Sequence, residues 1–268
     1  IDSYVYARAP ACRLPHRGVR QGPFSSAFPE LSSYGPDRID LAARIEEVRR
    51  TFSFATEEHP DNDGGAYTLP FPQELSQTEW ITRHATEFIR SAEPSEAFFA
   101  HISYVQPHSP FCPPAPYLDR VADEIPAPEP IEWLDDAEVP SWFAESEGAR
   151  RELPADWLRR RRYYFADICH LDEQLGRVLE ALESTGRLDD TCIIFLSDHG
   201  ELLFDHGFTG KAERHYDACT RVPLIIATPT GRGGTAIDAI VQHEDICPTV
   251  LDMAGLASPK PKIGRAHV

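Results

Sequence analysis

Four side chains in this sequence could do chemistry together: the consecutive Asp198 and His199, Lys211 shortly after them, and His108 well upstream. A carboxylate beside an imidazole is a pair of metal ligands, since an ionised oxygen and a neutral ring nitrogen are ordinary donors to a divalent cation. Lysine adds a compact positive charge suited to the oxygens of a tetrahedral anion. An imidazole titrates near working pH and can give or take a proton. These are the parts of a site for a metal ion and an anionic group.

The elements that must position them can be read from the pattern. Ile193, Ile194, Phe195 and Leu196 form a continuous apolar run, which predicts a parallel strand covered on both faces. Asp198 and His199 then stand just past its carboxyl end, where open α/β sheets bind ligands. Gly207 and Gly210 precede Lys211, so a looping backbone would bring its ammonium back toward the carboxylate. Residues 98–105 alternate as a strand and are stopped by Pro107, Pro110, Pro113, Pro114 and Pro116, which puts His108 beyond a second strand end.

Residues 76–91 carry Trp80, Ile81, Ala85, Phe88 and Ile89 at helical spacing, with Ser76 and Glu79 placed for a capping box. Residues 155–185 predict a long amphipathic helix with Ile168, Leu171, Leu175, Val178, Leu179 and Leu182 as its stripe and Gly186 as its stop. The basic run 159–162 reads as a solvated face. Further strands are predicted at 222–228 and 237–241, and a helix at 245–254 with Asp245 as N-cap. Strands alternating with helices indicate an α/β sheet protein. Residues 1–75 read as surface connections with one helix around 40–50, and the acidic stretch 57–65 as an exposed turn rather than a calcium loop. The Pro-rich stretch 115–154 reads as an excursion that shapes a substrate mouth.

With 43 acidic against 26 basic residues and a net charge of −17, the chain lacks the basic stripe a nucleic acid would require. An anionic substrate must therefore meet a local positive site. Six cysteines without a C-x-x-C pair exclude a zinc knuckle or redox motif and are expected to be small buried residues, with Cys169 and Cys192 in core elements. No apolar stretch reaches membrane-spanning length, and no export signal is visible, which leaves the compartment open. Because it begins at Ile1 without methionine, the chain is expected to lack its natural N-terminus. Its last seven residues, KIGRAHV, are expected to be translated sequencing-adapter DNA.

SDHGELLFDHGFTGK, then HYDACTRVPLIIATP, and the upstream HISYVQPHSPFCPP resemble, in the same order, the middle and later motifs of the type I sulfatases, of the alkaline-phosphatase-like superfamily, over residues 76–256. The resemblance implies an α/β fold with an alkaline-phosphatase-like sheet flanked by helices, incomplete at both ends. Residues 1–257 would be a partial catalytic domain and 258–268 a disordered or non-native tail. It implies that Asp198 and His199 are metal ligands, usually for calcium. His199 stands where many members have Asn, so manganese or zinc also suits the pair. It further implies that Lys211 contacts the sulfate and the leaving oxygen, and that His108 binds the sulfate or protonates that oxygen. The family's nucleophile is a formylglycine made in a C-x-P-S-R or C-x-A-x-R motif, and no such motif occurs in this sequence. Cys12 begins C-R-L-P-H-R, with the proline and arginine displaced. Formylglycine is expected only in a missing N-terminal segment.

The implied function is metal-dependent hydrolysis of a small-molecule or glycan sulfate monoester. This chain alone is expected to show little activity and weak metal affinity, because two side chains cannot supply calcium's six to eight oxygens. Two alternatives stay open: a phosphonate monoester hydrolase or phosphodiesterase of the same superfamily, which His199 slightly favours, and a non-catalytic relative that binds sulfated glycans or a protein. Among the other histidines, His101 is expected in the interior. His206 and His215 are expected either to support the site from behind or to lie on a surface loop. His243, with Glu244 and Asp245, is expected to be structural at a helix start.

Overall fold

The computed structural model describes residues 3–8, 18–21, 65–135, 141–145, 149, 151–211, 214–231 and 233–256. Cys12, the helix expected around 40–50, the acidic stretch 57–64 and the tail 258–268 lie outside them. The chain forms two compact units, Ile1–Asp189 with Leu202–Gly210, and Asp190–Glu201 with Lys211–Val268.

In the first unit, β1 (Ser3–Arg8), β2 (Gly18–Gln21) and β3 (Phe99–Ile102) form an antiparallel sheet in the order β2-β1-β3. β1 falls in a stretch that reads as surface connection, because its short run of strand-forming Tyr and Val is surrounded by Pro and Gly. Helix α1 (Gln77–Ser91) begins as expected, with Ser76 Oγ accepting the Glu79 N–H at 3.2 Å. Trp80, Ile81, Ala85 and Ile89 are buried along it.

Two short helices, α2 (Ala115–Leu118) and α3 (Ser141–Ala144), precede the long α4 (Trp157–Ser184). α4 ends where Gly186 takes φ +69°, with Arg187 N–H bonded to Leu182 O at 2.8 Å and Gly186 N–H to Glu183 O at 2.9 Å, a Schellman closure. Its buried face differs from the expected stripe. Ala166, Asp167, His170, Gln174, Val178, Ala181 and Leu182 are buried, whereas Ile168 is exposed and Leu171, Leu175 and Leu179 are half-buried. Apolar periodicity finds the side that hydrocarbon could cover, and it cannot see polar residues buried against distant segments of the chain.

The basic run is also not a solvated face. Arg159 donates to Ala66 O at 3.2 Å, Arg160 to Asp156 Oδ2 at 2.5 Å, Arg161 to Asp205 Oδ1 at 2.9 Å, and Arg162 to Leu118 O at 3.1 Å. Arg159, Arg161 and Arg162 hold three different segments, and Arg160 closes on the N-cap residue of its own helix.

The second unit contains β4 (Ile193–Leu196), α5 (Asp217–Thr220), β5 (Leu224–Ala227) and α6 (His243–Met253). β4 was expected to be a parallel strand covered on both faces, and it instead pairs antiparallel with β5, from Ile193↔Ala227 to Leu196↔Leu224. Phe195, Leu196, Ile225 and Ile226 are exposed. An apolar run shows that a strand wants cover, without showing the direction of its neighbour. The strand expected at 237–241 is irregular, with Ile237, Ile240 and Val241 exposed. α6 starts earlier than expected: Gln242 is its N-cap, and Asp245 closes a capping box by accepting the Gln242 N–H at 2.9 Å. No helix among the described residues is long and apolar enough to cross a membrane.

The cysteines depart from uniform burial. Cys192 and Cys247 are exposed and Cys219 is buried, while burial and the nearby Asp167 push the Cys112 thiol up to about 12. A maleimide applied to the native protein is expected to label Cys192 and Cys247 rapidly and to spare Cys112 and Cys219 until the chain unfolds, as read by peptide mass mapping.

Candidate functional site

β4 hands the chain to a tight turn at Ser197–Gly200. Gly200 N–H bonds to Cys219 O at 2.8 Å, and a Cβ on Gly200 would meet Ala218 O at 1.9 Å, so only glycine fits. His243 Nε2 lies 2.9 Å from Ser197 O and ties α6 to the strand end, the structural role expected of it. Within the turn, His199 N–H donates to Asp198 Oδ1 at 2.9 Å, and His199 Nδ1 lies 2.8 Å from Gly200 O. A carbonyl can only accept, so Nδ1 carries the proton and the neutral ring keeps its lone pair on Nε2. That nitrogen lies 3.7 Å from Asp198 Oδ2, whose side chain is 66% exposed. The two atoms best able to bind a cation therefore face each other, with the imidazole's other nitrogen anchored as in metal-ligating histidines. Among the described residues no group of three or more His, Cys, Asp or Glu side chains is arranged to hold a metal.

Lys211 belongs to the same unit as this pair and is half-buried, with its carbonyl accepting the Arg214 N–H at 3.2 Å. The intervening Leu202–Gly210 belongs to the first unit. This segment loops back as expected, with Leu202 N–H bonded to Gly210 O at 3.0 Å. Gly207 and Gly210 take φ near +79°, and three non-glycine residues also take positive φ, at a steric cost: Leu203 at +46°, Phe204 at +75° and His206 at +55°. Each such non-glycine conformation costs about 1–3 kcal/mol and persists only where its surroundings hold it.

Side chains and backbone from three other segments hold this loop. Asp205 Oδ1 accepts from Arg161 and from Glu129 N–H at 3.0 Å, His206 N–H donates to Glu129 O at 3.1 Å, and Trp133 Nε1 donates to His206 O at 2.6 Å. Trp133 also stacks on the buried Phe208, with Phe143 edge-on to the same ring. His206 thus serves the loop through its backbone, and His215 is exposed. Sequence reasoning missed Arg161, Glu129 and Trp133, although two tryptophans, Trp133 and Trp142, within a Pro-rich acidic stretch were a signal that the stretch grips something.

His108 belongs to the first unit, in the turn that follows β3. His108 N–H donates to Val105 O at 3.0 Å, and its Nδ1 lies 2.6 Å from Ser109 O, which again places the proton on Nδ1 and leaves Nε2 to exchange protons. His101, expected in the interior, is an exposed residue of β3, where exposed and half-buried positions alternate along the strand. Of the four expected site residues, Asp198 and His199 adjoin, Lys211 shares their unit, and His108 is part of the other.

A polar cluster lies beneath α1. Glu79 does not return to its own helix start to complete a capping box; its carboxylate accepts from Gln73 Nε2 at 2.6 Å, Gln174 Nε2 at 3.1 Å and Arg177 Nη1, with His170 Nε2 at 3.8 Å. Burial alone would raise the pKa of this acid, yet His170, Gln73 and Arg177 together outweigh it and hold Glu79 at about 2. At 3.8 Å His170 acts by proximity rather than by a hydrogen bond, and its Nε2 has no partner within bonding distance.

A family model described as Sulfatase matches residues 47–256. The chain is 33% identical over 196 residues to an arylsulfatase of Clostridium perfringens, covering 70% of this chain and 40% of that protein. Among solved structures it resembles the phosphonate monoester hydrolase from Silicibacter pomeroyi, with 26% identity and a TM-score of 0.61 over 80% of this chain and 46% of that one. It also resembles a protein solved in complex with its substrate D-glucosamine-2-N,6-O-disulfate, with 25% identity and a TM-score of 0.60 over 70% of this chain and 50% of that one. The chain spans 40% of the length of that arylsulfatase and 41% of that of a multifunctional alkaline phosphatase superfamily protein of Trinickia caryophylli, and less of other curated relatives.

Proposed function

The chain belongs to the sulfatase family, within the alkaline-phosphatase-like superfamily, and from that premise we propose that it carries part of the active site of an enzyme that hydrolyses a sulfate monoester. The observation that carries this reading is the pair at the end of β4, where the lone-pair nitrogen of His199 and the carboxylate of Asp198 converge at 3.7 Å. That donor set fits one edge of a divalent metal site. Such an ion, held by Asp198 and His199, would supply Lewis acidity toward a sulfate oxygen. Imidazole suits manganese as well as calcium, and either ion needs further ligands from elsewhere in the protein.

Lys211 contributes a fixed positive charge toward the non-bridging oxygens, where negative charge shifts as the S–O bond breaks. The bond's electron pair stays on the ester oxygen, and His108, with Nδ1 committed to Ser109 O, gives it a proton from Nε2 when both ring nitrogens are protonated, leaving the neutral ring. The nucleophile in this reading is a formylglycine hydrate carried on another segment of the whole protein. The nature of one relative's substrate, a sulfated glucosamine, supports a sulfated sugar or a similarly small ester as the substrate class.

The likeness to a phosphonate monoester hydrolase favours a second reading, hydrolysis of a phosphonate or phosphate ester at the same site. A form extended to the length of the relatives is expected to hydrolyse 4-nitrophenyl sulfate with a higher kcat/KM than a 4-nitrophenyl phosphonate. The reverse order would establish the second reading in place of the first.

A further inference from the structure

The turn that carries His108 is fastened at both ends. At its start, Thr78 Oγ1 from α1 donates to Gln106 Oε1 at 2.8 Å. At its end, Phe111 N–H donates to Gly65 O at 2.8 Å, Tyr67 N–H to Phe111 O at 3.0 Å, and Leu69 N–H to Pro113 O at 2.9 Å. Between those anchors, Cys112 N–H donates to Oδ2 of Asp167, 55 positions away on α4, at 3.2 Å. Asp167 is fully buried, and its other oxygen, Oδ1, is buried without a hydrogen-bond partner. A carboxyl group so placed, in the middle of the helix face that supports this turn, is costly to the core and calls for a purpose.

We propose that Asp167 is a positioning residue for His108, its carboxyl group fixing the Cys112 end of the turn as Thr78 fixes the Gln106 end. The proposal rests on the reading of His108 as the proton donor. Asp167 acts as the neutral acid: an ionised carboxylate sealed from water with one N–H for company would be far more costly than a protonated one. Burial drives its pKa well above the ordinary value, and the Cys112 N–H opposes this only in part. Oδ2 then accepts as a carbonyl oxygen, and the proton resides on Oδ1. An amide has the same shape and the same acceptor, so asparagine reproduces the function and alanine does not.

The test uses the whole chain and reads His108 by NMR, as the ring proton shifts and their titration, alongside urea unfolding. Asp167→Asn is expected to leave the His108 titration unchanged. Asp167→Ala is expected to shift the titration and to replace the single ring resonance by several. If Asp167→Ala lowers stability but leaves His108 untouched, or if Asp167→Asn disturbs His108 as much as alanine does, the proposal is wrong. Should the alanine variant fail to fold, infrared difference spectra between wild type and Asp167→Asn decide: the C=O band of a protonated acid at neutral pH supports the proposal, and carboxylate bands alone overturn it. None of these readouts needs turnover. If His108→Ala left sulfate-ester hydrolysis by the extended protein intact, the catalytic reading would fall while the link between Asp167 and His108 stood.

Discussion

Glu79→Ala is expected to lower the unfolding free energy of the chain by about 2–3 kcal/mol, measured by urea denaturation at neutral pH. Removing one partner of a fully buried ion pair costs about 3–5 kcal/mol, and a surface pair is worth about 0–1 kcal/mol. Glu79 sits near the first case with 11% of its side chain exposed, whereas Arg177 at 39% is partly solvated and can recover some hydration, which places the result between the limits. Gln73 and Gln174 also lose an acceptor in the interior. The same group sets a pH dependence. Folded Glu79 stays ionised down to about 2, while its ordinary value is 4.5. Its stabilising contribution is therefore complete above about 4.5 and is lost as pH falls toward 2. Wild type should lose stability across that window, and Glu79→Ala should lose less. Equal losses in the two would show that other carboxylates dominate.

Lys211→Ala, introduced into a form extended to the length of the relatives, is expected to reduce kcat for 4-nitrophenyl sulfate by about 100–1000-fold. That is the usual loss when a positioned donor to developing charge is removed. In the proposed role the ammonium acts where charge shifts as the S–O bond breaks, so the loss should fall mainly on kcat, with KM changing less. Arginine is not expected to restore the rate, since its planar fork presents charge differently from a compact ammonium. A Lys211→Ala variant with unchanged kcat would remove this residue from the site.

Local signals in the sequence specify some elements of this fold, and contacts between distant segments specify the others. α1 was legible because Trp80, Ile81, Ala85 and Ile89 repeat at helical spacing behind a Ser76 cap, and all of that signal is local. The end of α4 was legible for the same reason, since Gly186 is a local stop. The direction of β4 was not legible, because a run of Ile193 to Leu196 reads the same whichever way its neighbour runs. Nor was the buried side of α4: Asp167 and Gln174 lie inside against Cys112 and Glu79, partners that come from distant segments. The candidate site shows the same split. Asp198 and His199 were legible as a pair at the end of a strand, as were the glycines that turn the chain before Lys211. The grip of Arg161, Glu129 and Trp133 on the loop between them depends on a Pro-rich stretch whose fold leaves no periodic trace.

The most direct test of the account is metal-dependent turnover of 4-nitrophenyl sulfate by the extended protein, wild type against Asp198→Ala. Hydrolysis by wild type is expected to be lost on chelation and restored by calcium or manganese, and to be absent from Asp198→Ala at any metal concentration. Undiminished hydrolysis by Asp198→Ala would contradict the account.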